Sequence, residues 1–230
     1  WMRILKNAGD PSQALGRISA GKILVMIDRE DYWQCAYVIA KGGFAEIQNL
    51  GLPAFREQIK KSAPFLGNRV EELKSWDDVK MLTVRVDHLR RWHRDGLLFI
   101  GDAAHAMSPI GGVGINLAIQ DAVAAANILT EPLRRGVVAE RDLQKVQKRR
   151  ELPTRLTQKV QVYIQNHAIS KVLARKSDQR MKPALVFRLL RRWPMLRRIP
   201  ARIVGMGFRP EHVKFLAPNN DPQIAQINAD

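Results

Sequence analysis

The residues with the most chemical potential fall between Leu97 and Leu129, in the run LLFIGDAAHAMSPIGGVGINLAIQDAVAAANIL. Asp102 follows a short apolar run, Leu97 to Ile100, and a carboxylate just past a strand end can accept hydrogen bonds from sugar-type hydroxyls. Further on, Ser108-Pro109-Ile110-Gly111-Gly112-Val113-Gly114 carries three glycines in four positions. Such a loop lets a backbone approach a ligand closely with free N–H groups. The helical pattern that begins near Gly114-Ile115-Asn116 adds unpaired first-turn donors and a positive dipole end, suited to a partly negative ring oxygen. Together these residues could grip a polyol and a flat, electron-accepting heterocycle.

The elements that must position them are legible in outline. Leu97 to Ile100 is too short for a helix and is bounded by Asp95-Gly96 and Gly101-Asp102, so it reads as a buried strand. From Ile115, a helix with Ile115, Ile119, Ala122, Val123 and Ala126 on one face is expected, with small residues on the other, ending at Pro132 and Gly136. Upstream, residues 2–7 read as a short strand, 8–17 as a loop, and 22–28 and 32–40 as an antiparallel hairpin turned by Arg29-Glu30-Asp31. On the second hairpin strand, Trp33, Cys35, Tyr37 and Ile39 share a face, read as ordinary core. An amphipathic helix is expected over 51–62 with Pro53 in its first turn, and a further strand of the same sheet over 79–86. Downstream, residues 138–167 read as a charged helix broken or restarted at Pro153, with another helix over 183–192, an interruption at Trp193-Pro194, a short turn before Pro200 and an irregular tail over 211–230.

The ordered run Gly101-Asp102-Ala103-Ala104-His105, then Pro109, then Gly111-Gly112-Val113-Gly114-Ile115-Asn116, resembles the second FAD fingerprint of the para-hydroxybenzoate hydroxylase family of flavin monooxygenases. The resemblance implies that Asp102 binds the ribityl chain and that Pro109 lies by the reactive face of the flavin. It implies that Gly114, Ile115 and Asn116 present backbone donors to the pyrimidine edge. The cofactor-binding set it implies is Gly101, Asp102, Pro109, Gly111, Gly112, Val113, Gly114, Ile115 and Asn116, with no side chain marked as an acid or base. The implied fold is α/β (α+β), a partial FAD/NAD(P)-binding hydroxylase-like fold. Residues 1–90 would form an antiparallel substrate-side sheet, 91–136 the returning strand, loop and helix of the FAD domain, 137–210 basic helices and 211–230 a tail.

The implied activity is hydroxylation of an aromatic or polycyclic small molecule, in which NAD(P)H reduces FAD and the reduced flavin activates O2. A flavin-dependent reductase or halogenase of the same fold is one alternative. A catalytically silent fragment whose basic helices bind a membrane or a partner is another. The family's Gly-x-Gly-x-x-Gly unit and its middle Asp-Gly motif have no match here, so the chain is expected to be the C-terminal half of a longer protein or a truncated product.

Composition sets the remaining bounds. A 46% hydrophobic content suits a folded chain, and the single cysteine, Cys35, excludes an internal disulfide, as expected of a cytoplasmic protein. No uninterrupted apolar run approaches the length of a membrane span, and no secretory leader is visible at Trp1-Met2-Arg3. No group of His, Cys and carboxylates has metal-ligand spacing, so no metal is expected, and no nucleophile elbow marks a hydrolase. His105 reads as structural, with proton carrier as the alternative, and His88 and His93 read as solvated. Residues 141–209 hold 19 Lys or Arg against Asp142, Glu151 and Asp178, an excess that equals the whole net charge of +16. Solvated helix faces are the first reading of this basic part, and peripheral association with an anionic membrane the second. Nucleic acid is not expected, because no binding module accompanies the charge. The oligomeric state is not legible.

Overall fold

A computed structural model describes residues 1–12, 15–19, 21–174, 192–193, 195 and 198–214. The described residues fall into two compact units, one within Trp1–Thr83 and Tyr163–Ala184, the other within Val84–Val162 and Leu185–Asp230. The fold is mixed α and β, as expected.

The first unit is built on a four-stranded antiparallel sheet of β1 (Met2–Leu5), β2 (Leu15–Ser19), β3 (Lys22–Asp28) and β4 (Tyr32–Val38), in the order β1-β4-β3-β2. The expected hairpin is β3–β4, with Met26 opposite Cys35, and its turn places Glu30 at φ 66°. One sheet face carries Ile4, Leu24, Met26, Trp33 and Cys35, all fully buried. It packs on α2 (Leu52–Ser62) through Phe55 and Ile59, and on the 3-10 segment Pro64–Glu72 through Leu66 and Val70. Burying each such side chain contributes roughly 1.5–3 kcal/mol. The aromatics of β4 are therefore core: Trp33 meets the Phe65 ring edge-on at 5.9 Å, and Tyr37 meets Phe55 at 5.3 Å. Asp10 ties the unit's irregular part together. Its carboxylate accepts from Trp33 Nε1 at 2.8 Å and from both Arg69 terminal nitrogens at 2.6 and 2.7 Å. The short helix α1 (Phe44–Asn49) was not anticipated.

Two expectations for this unit are corrected. The loop expected over 8–17 contains the start of β2, whose ladder with β3 pairs Gly16 with Val25 and Arg17 with Leu24. Its mix of Gly, Arg and Ser hides the alternation that an edge strand does not need. The strand expected over 79–86 does not form. Lys80 alone exchanges two backbone hydrogen bonds with Trp1, at 2.7 and 2.6 Å. Met81 and Leu82 are half exposed despite their alternation.

The second unit opens with a hairpin of β5 (His93–Arg94) and β6 (Leu97–Leu98), turned by Gly96 at φ 69°. The strand expected to Ile100 stops at Leu98, with one further bond from Phe99 N–H to Trp92 O at 2.7 Å. His93, expected to be solvated, is buried; His88 is exposed. Three helices follow: α3 (Gly114–Arg134), α4 (Glu140–Ile164) and, after the short α5 (Ser170–Leu173) of the first unit, α6 (Arg198–Met206).

The buried face of α3 is not the expected one. Leu117, Asp121 and Ala124 are buried, while Ile115 and Ile119 are 69% and 56% exposed. The apolar periodicity was real, but the side with Asp121 is the one that packs. The helix also runs past Pro132 for a further two residues, because a proline in the last turn loses only one intrahelical bond. Gly136 at φ 72° then ends it, with its N–H donating to Leu133 O. By length and composition α3 is apolar enough to cross a bilayer, contrary to the expectation from uninterrupted runs. Its one packed side carries a buried charge, Asp121, paired with Arg150.

Helix α4 is continuous through Pro153, with neither a break nor a restart there. Its buried face is apolar at the start, with Leu143 and Val146, and mostly polar beyond, with Gln147, Arg150, Thr154, Thr157, Gln158 and Gln161. A π-helical stretch, Gln165–Ile169, follows it. The helix expected over 183–192 lies outside the described residues except for Arg192, and residues 198–206 form α6 instead of a short turn. Of the expected tail, residues 211–214 carry no regular structure and the rest lies outside the described residues.

Candidate functional site

The predicted site residues lie on two neighbouring turns of the second unit. The first is the 3-10 turn Gly101–Ala103. Gly101 sits at φ 58°, and its carbonyl accepts from both Ala104 and His105 N–H at 2.9 Å. The turn holds Asp102 on the surface, where its carboxylate takes no hydrogen bond among the described residues.

The second turn is Pro109 to Val113. Gly112 N–H bonds Pro109 O at 3.0 Å, and Gly111 and Gly112 adopt φ 78° and 64°, conformations that require glycine. Gly114 then opens α3. The helix has no side-chain N-cap: Val113 occupies that position, is buried, and offers only its carbonyl to Leu117 N–H at 3.2 Å. The first-turn N–H groups therefore lack intrahelical partners. A Cβ on Gly112 would meet nothing within 4 Å, so Gly112 borders open space, while one on Gly111 or Gly114 would make an ordinary contact with Val113 or Met107. Pro109, Gly111, Gly112 and Ile115 are exposed along the same lip, and Gly101 and Val113 are buried beneath it.

What holds these turns was not anticipated. From α4, Gln158 Nε2 donates to Asp87 O and Ala106 O at 2.7 and 3.0 Å, and Gln161 Nε2 donates to Ser108 O and Ile110 O at 2.8 and 3.0 Å. Gln147 Nε2 donates to Arg90 O and its Oε1 accepts from Trp92 N–H. Helix α4 is thus a rack whose amides satisfy the carbonyls of two irregular segments, as buried backbone requires. From α3, Asp121 is wholly buried. It accepts from Gly101 N–H at 3.0 Å, from His105 Nε2 at 2.6 Å and from Arg150 Nε at 2.9 Å. Burial alone would raise the Asp121 carboxyl, but the bonds from His105, Arg150 and Gly101 outweigh it and hold it below the usual carboxylate range. His105 is 1% exposed, which fits its structural reading.

A third support comes from the C-terminal segment. Asn116, Gln120 and Asn127 lie on one stripe of α3. Asn116 Nδ2 donates to Gly205 O at 3.2 Å, Gln120 Nε2 to Met206 O at 2.9 Å and Asn127 Nδ2 to His212 O at 2.8 Å. Arg149 makes a two-point contact with Glu211, at 2.6 and 3.1 Å. The sequence carried a signal for α4: uncharged Gln and Thr at helical spacing, 147, 154, 157, 158 and 161, in a helix otherwise full of charge. Asp121 was signalled only by being a carboxylate within the apolar first half of α3, well before Glu131.

Residues 6–160 match the family described as FAD binding domain. The chain is 39% identical over 162 residues to 6-methylpretetramide 4-monooxygenase of Streptomyces rimosus, covering 70% of this chain and 36% of that protein. It is 60% identical over 42 residues to kynurenine 3-monooxygenase of Xanthomonas oryzae pv. oryzae, covering 18% and 9%. Pseudomonas aeruginosa PqsL in complex with 2-aminobenzoylacetate has a TM-score of 0.56 at 19% identity, over 75% of this chain and 47% of that one. The flavin-dependent halogenase CmlS has a TM-score of 0.51 at 15% identity, over 100% and 43%. These two show the fold alone. The chain thus spans about a third of the first relative's length and under half of either solved structure. The site suits the riboflavin half of FAD: an exposed carboxylate for a polyol, an uncapped helix start for an anionic ring edge, and glycines that leave room for the ring. With the family match covering more than half of its residues, the chain belongs to the FAD binding domain family.

Proposed function

We propose that the chain contributes to an FAD-dependent monooxygenase that hydroxylates an aromatic or polycyclic small molecule, using O2 and NAD(P)H. The observation that carries this reading is the uncapped start of α3 at the end of the Pro109–Val113 turn, beside an exposed Asp102. The 39% identity to a named monooxygenase favours hydroxylation over reduction or halogenation, since the halogenase likeness is one of fold.

FAD would supply the O2-activating chemistry when bound, with NAD(P)H as the electron donor. The chain's residues supply binding and orientation. Asp102 accepts hydrogen bonds from the ribityl hydroxyls. Gly114, Ile115 and Asn116 offer N–H groups to the pyrimidine edge, where the helix dipole favours negative charge by up to about 2 kcal/mol when partly buried. Pro109 would lie by the ring's reactive face, and Gly111 and Gly112 would keep side chains out of its place. Residues 91–136 serve as the returning part of the FAD-binding domain and 1–90 as the substrate-side sheet. A cytoplasmic location, with basic residues of 141–209 other than the buried Arg150 and the paired Arg149 meeting anionic lipid, belongs to the same reading. Its support is the concentration of 19 Lys or Arg there.

The test is FAD titration of the chain by flavin fluorescence, wild type against Asp102→Ala. Loss of charge-assisted bonds worth roughly 1.5–3 kcal/mol raises Kd on the order of 10- to 100-fold. An unchanged Kd removes Asp102 from the site. For the activity, NADPH oxidation and product analysis with a panel of aromatic acceptors separate hydroxylase from reductase.

A further inference from the structure

The strongest unassigned feature is the buried carboxylate of Asp121. An aspartate in a helix interior is a poor helix former, and burying its charge costs several kcal/mol before partners repay it. An apolar residue would pack α3 as well. What the carboxylate does hold is specific. One oxygen, Oδ2, accepts from Gly101 N–H at 3.0 Å and from His105 Nε2 at 2.6 Å. These are the first and last residues of the Gly-Asp-Ala-Ala-His run, so a single oxygen of α3 staples both ends of the turn that presents Asp102. The other oxygen, Oδ1, accepts from Arg150 Nε at 2.9 Å. Arg150 is itself fixed by Gln120 Oε1 at 3.2 Å, Arg209 O at 2.9 Å and Glu211 Oε1 at 3.4 Å. Asp121, His105 and Arg150 are all fully buried, so none of them can touch a ligand.

We infer that Asp121 and His105 are positioning residues for the flavin polyol: they act through the Gly101–His105 turn and set the direction in which Asp102 presents its carboxylate. This rests on the reading of Asp102 as the polyol ligand. It assigns the Asp121–His105 pair a part in affinity that its burial conceals. Arg150 acts one step further away, by holding the Asp121 carboxylate charged and oriented.

The experiment is a double-mutant cycle on the 230-residue chain, with FAD as the probe and Kd read by flavin fluorescence up to millimolar FAD, and with circular dichroism and Tm measured for each variant. Asp121→Asn raises Kd about tenfold in the wild-type background and changes it less than twofold when Asp102 is already alanine, because residues that act through one another do not add. A merely structural Asp121 lowers Tm and gives either no change in Kd for the folded protein or the same change in both backgrounds; either result overturns the inference.

Asp121→Asn strands the Arg150 charge, so His105→Leu, which leaves the Asp121–Arg150 pair intact, is measured beside it. His105→Leu raises Kd several-fold, and His105→Gln, which keeps a donor, restores at least half of the loss. If Asp121→Asn does not fold, equal Kd values for His105→Leu and wild type overturn the inference. Failure of the underlying reading looks different: wild type shows no FAD binding up to millimolar, or Asp102→Ala alone leaves Kd unchanged.

Discussion

A Cβ built on Gly101 would stand 3.0 Å from the Cβ of Ala118. The turn and α3 therefore approach as closely as two backbones with one methyl between them can. Gly101 also sits at φ 58°, so it is constrained twice. Gly101→Ala is expected to destabilise the protein by about 2–4 kcal/mol, combining left-handed strain with overpacking. Urea unfolding checks this. Adding Ala118→Gly relieves the overlap but leaves the backbone strain, so it recovers only part of the loss.

Asp10 yields a prediction in pH. The bond from Arg69 dominates, and with Trp33 and the Asn7 N–H it outweighs burial and holds the carboxyl at about 2. A carboxyl whose folded value is depressed stabilises the fold above its unfolded value of about 3.9, and that stability is lost as pH falls toward the folded value. Asp10→Asn is expected to lower stability by roughly 1.5–3 kcal/mol at pH 7, and the gap from wild type closes between about pH 4 and pH 2. Unfolding free energies measured at a series of pH values decide; a gap that stays constant with pH means Asp10 acts by shape alone.

Cys35 is fully buried between β1 and β3, and burial pushes its thiol up to about 12. The folded protein is expected to react with a thiol reagent at pH 8 only as fast as the first unit opens. A burst of one thiol per chain appears on adding denaturant. Fast labelling under native conditions would contradict the burial of β4.

Gln161 holds two carbonyls, Ser108 O and Ile110 O, at the base of the glycine turn. Gln161→Leu strands both, at an expected loss of about 1–3 kcal/mol. Amide exchange should quicken locally over 108–113 while the sheet of the first unit keeps its protection. Uniform acceleration across both units would show that the glutamine carries global stability instead.

Gly114 separates room from rigidity. A Cβ there would lie 3.8 Å from Met107 Cβ, an ordinary contact, so Gly114→Val folds without strain at that atom. Its branches screen the helix start from the flavin ring. FAD affinity falls, and in the loaded fraction the helix loses about 0.5–1 kcal/mol of preference for the reduced anion. That lowers a two-electron potential by roughly 10–20 mV. Spectroelectrochemical titration reads it, and a potential equal to wild type assigns α3 to scaffold.

The glycine turn was legible because its conformation is local: Gly111 and Gly112 at positive φ, and an exposed Asp102, announce themselves in nearby residues. The hairpin and α2 were legible because period and turn residues sufficed. What escaped was whatever depends on a partner distant in sequence. The alternation over 79–86 met no neighbouring strand beyond Lys80. The Ile115–Ile119 face of α3 looked like the core face because apolar residues normally are, while the packed side was chosen by Asp121 and its pairing with Arg150, 29 residues later. His93 reads as solvated among basic neighbours, yet it is buried, with Nδ1 3.3 Å from Glu140 at the start of α4.

The stripe of Asn116, Gln120 and Asn127 has a mechanical consequence. These amides grasp backbone, not side chains, so they hold residues 205–212 whatever their sequence. Asn127 even brackets its target, donating to His212 O and accepting from Lys214 N–H as a neighbouring strand would. The grip begins in the first turn of α3 and continues for three turns, and Arg150 ties the same segment through Arg209 O to the carboxylate beneath Asp102. Strain on residues 205–212 is thereby delivered to the start of α3 and, through Arg150 and Asp121, to the Gly101 turn.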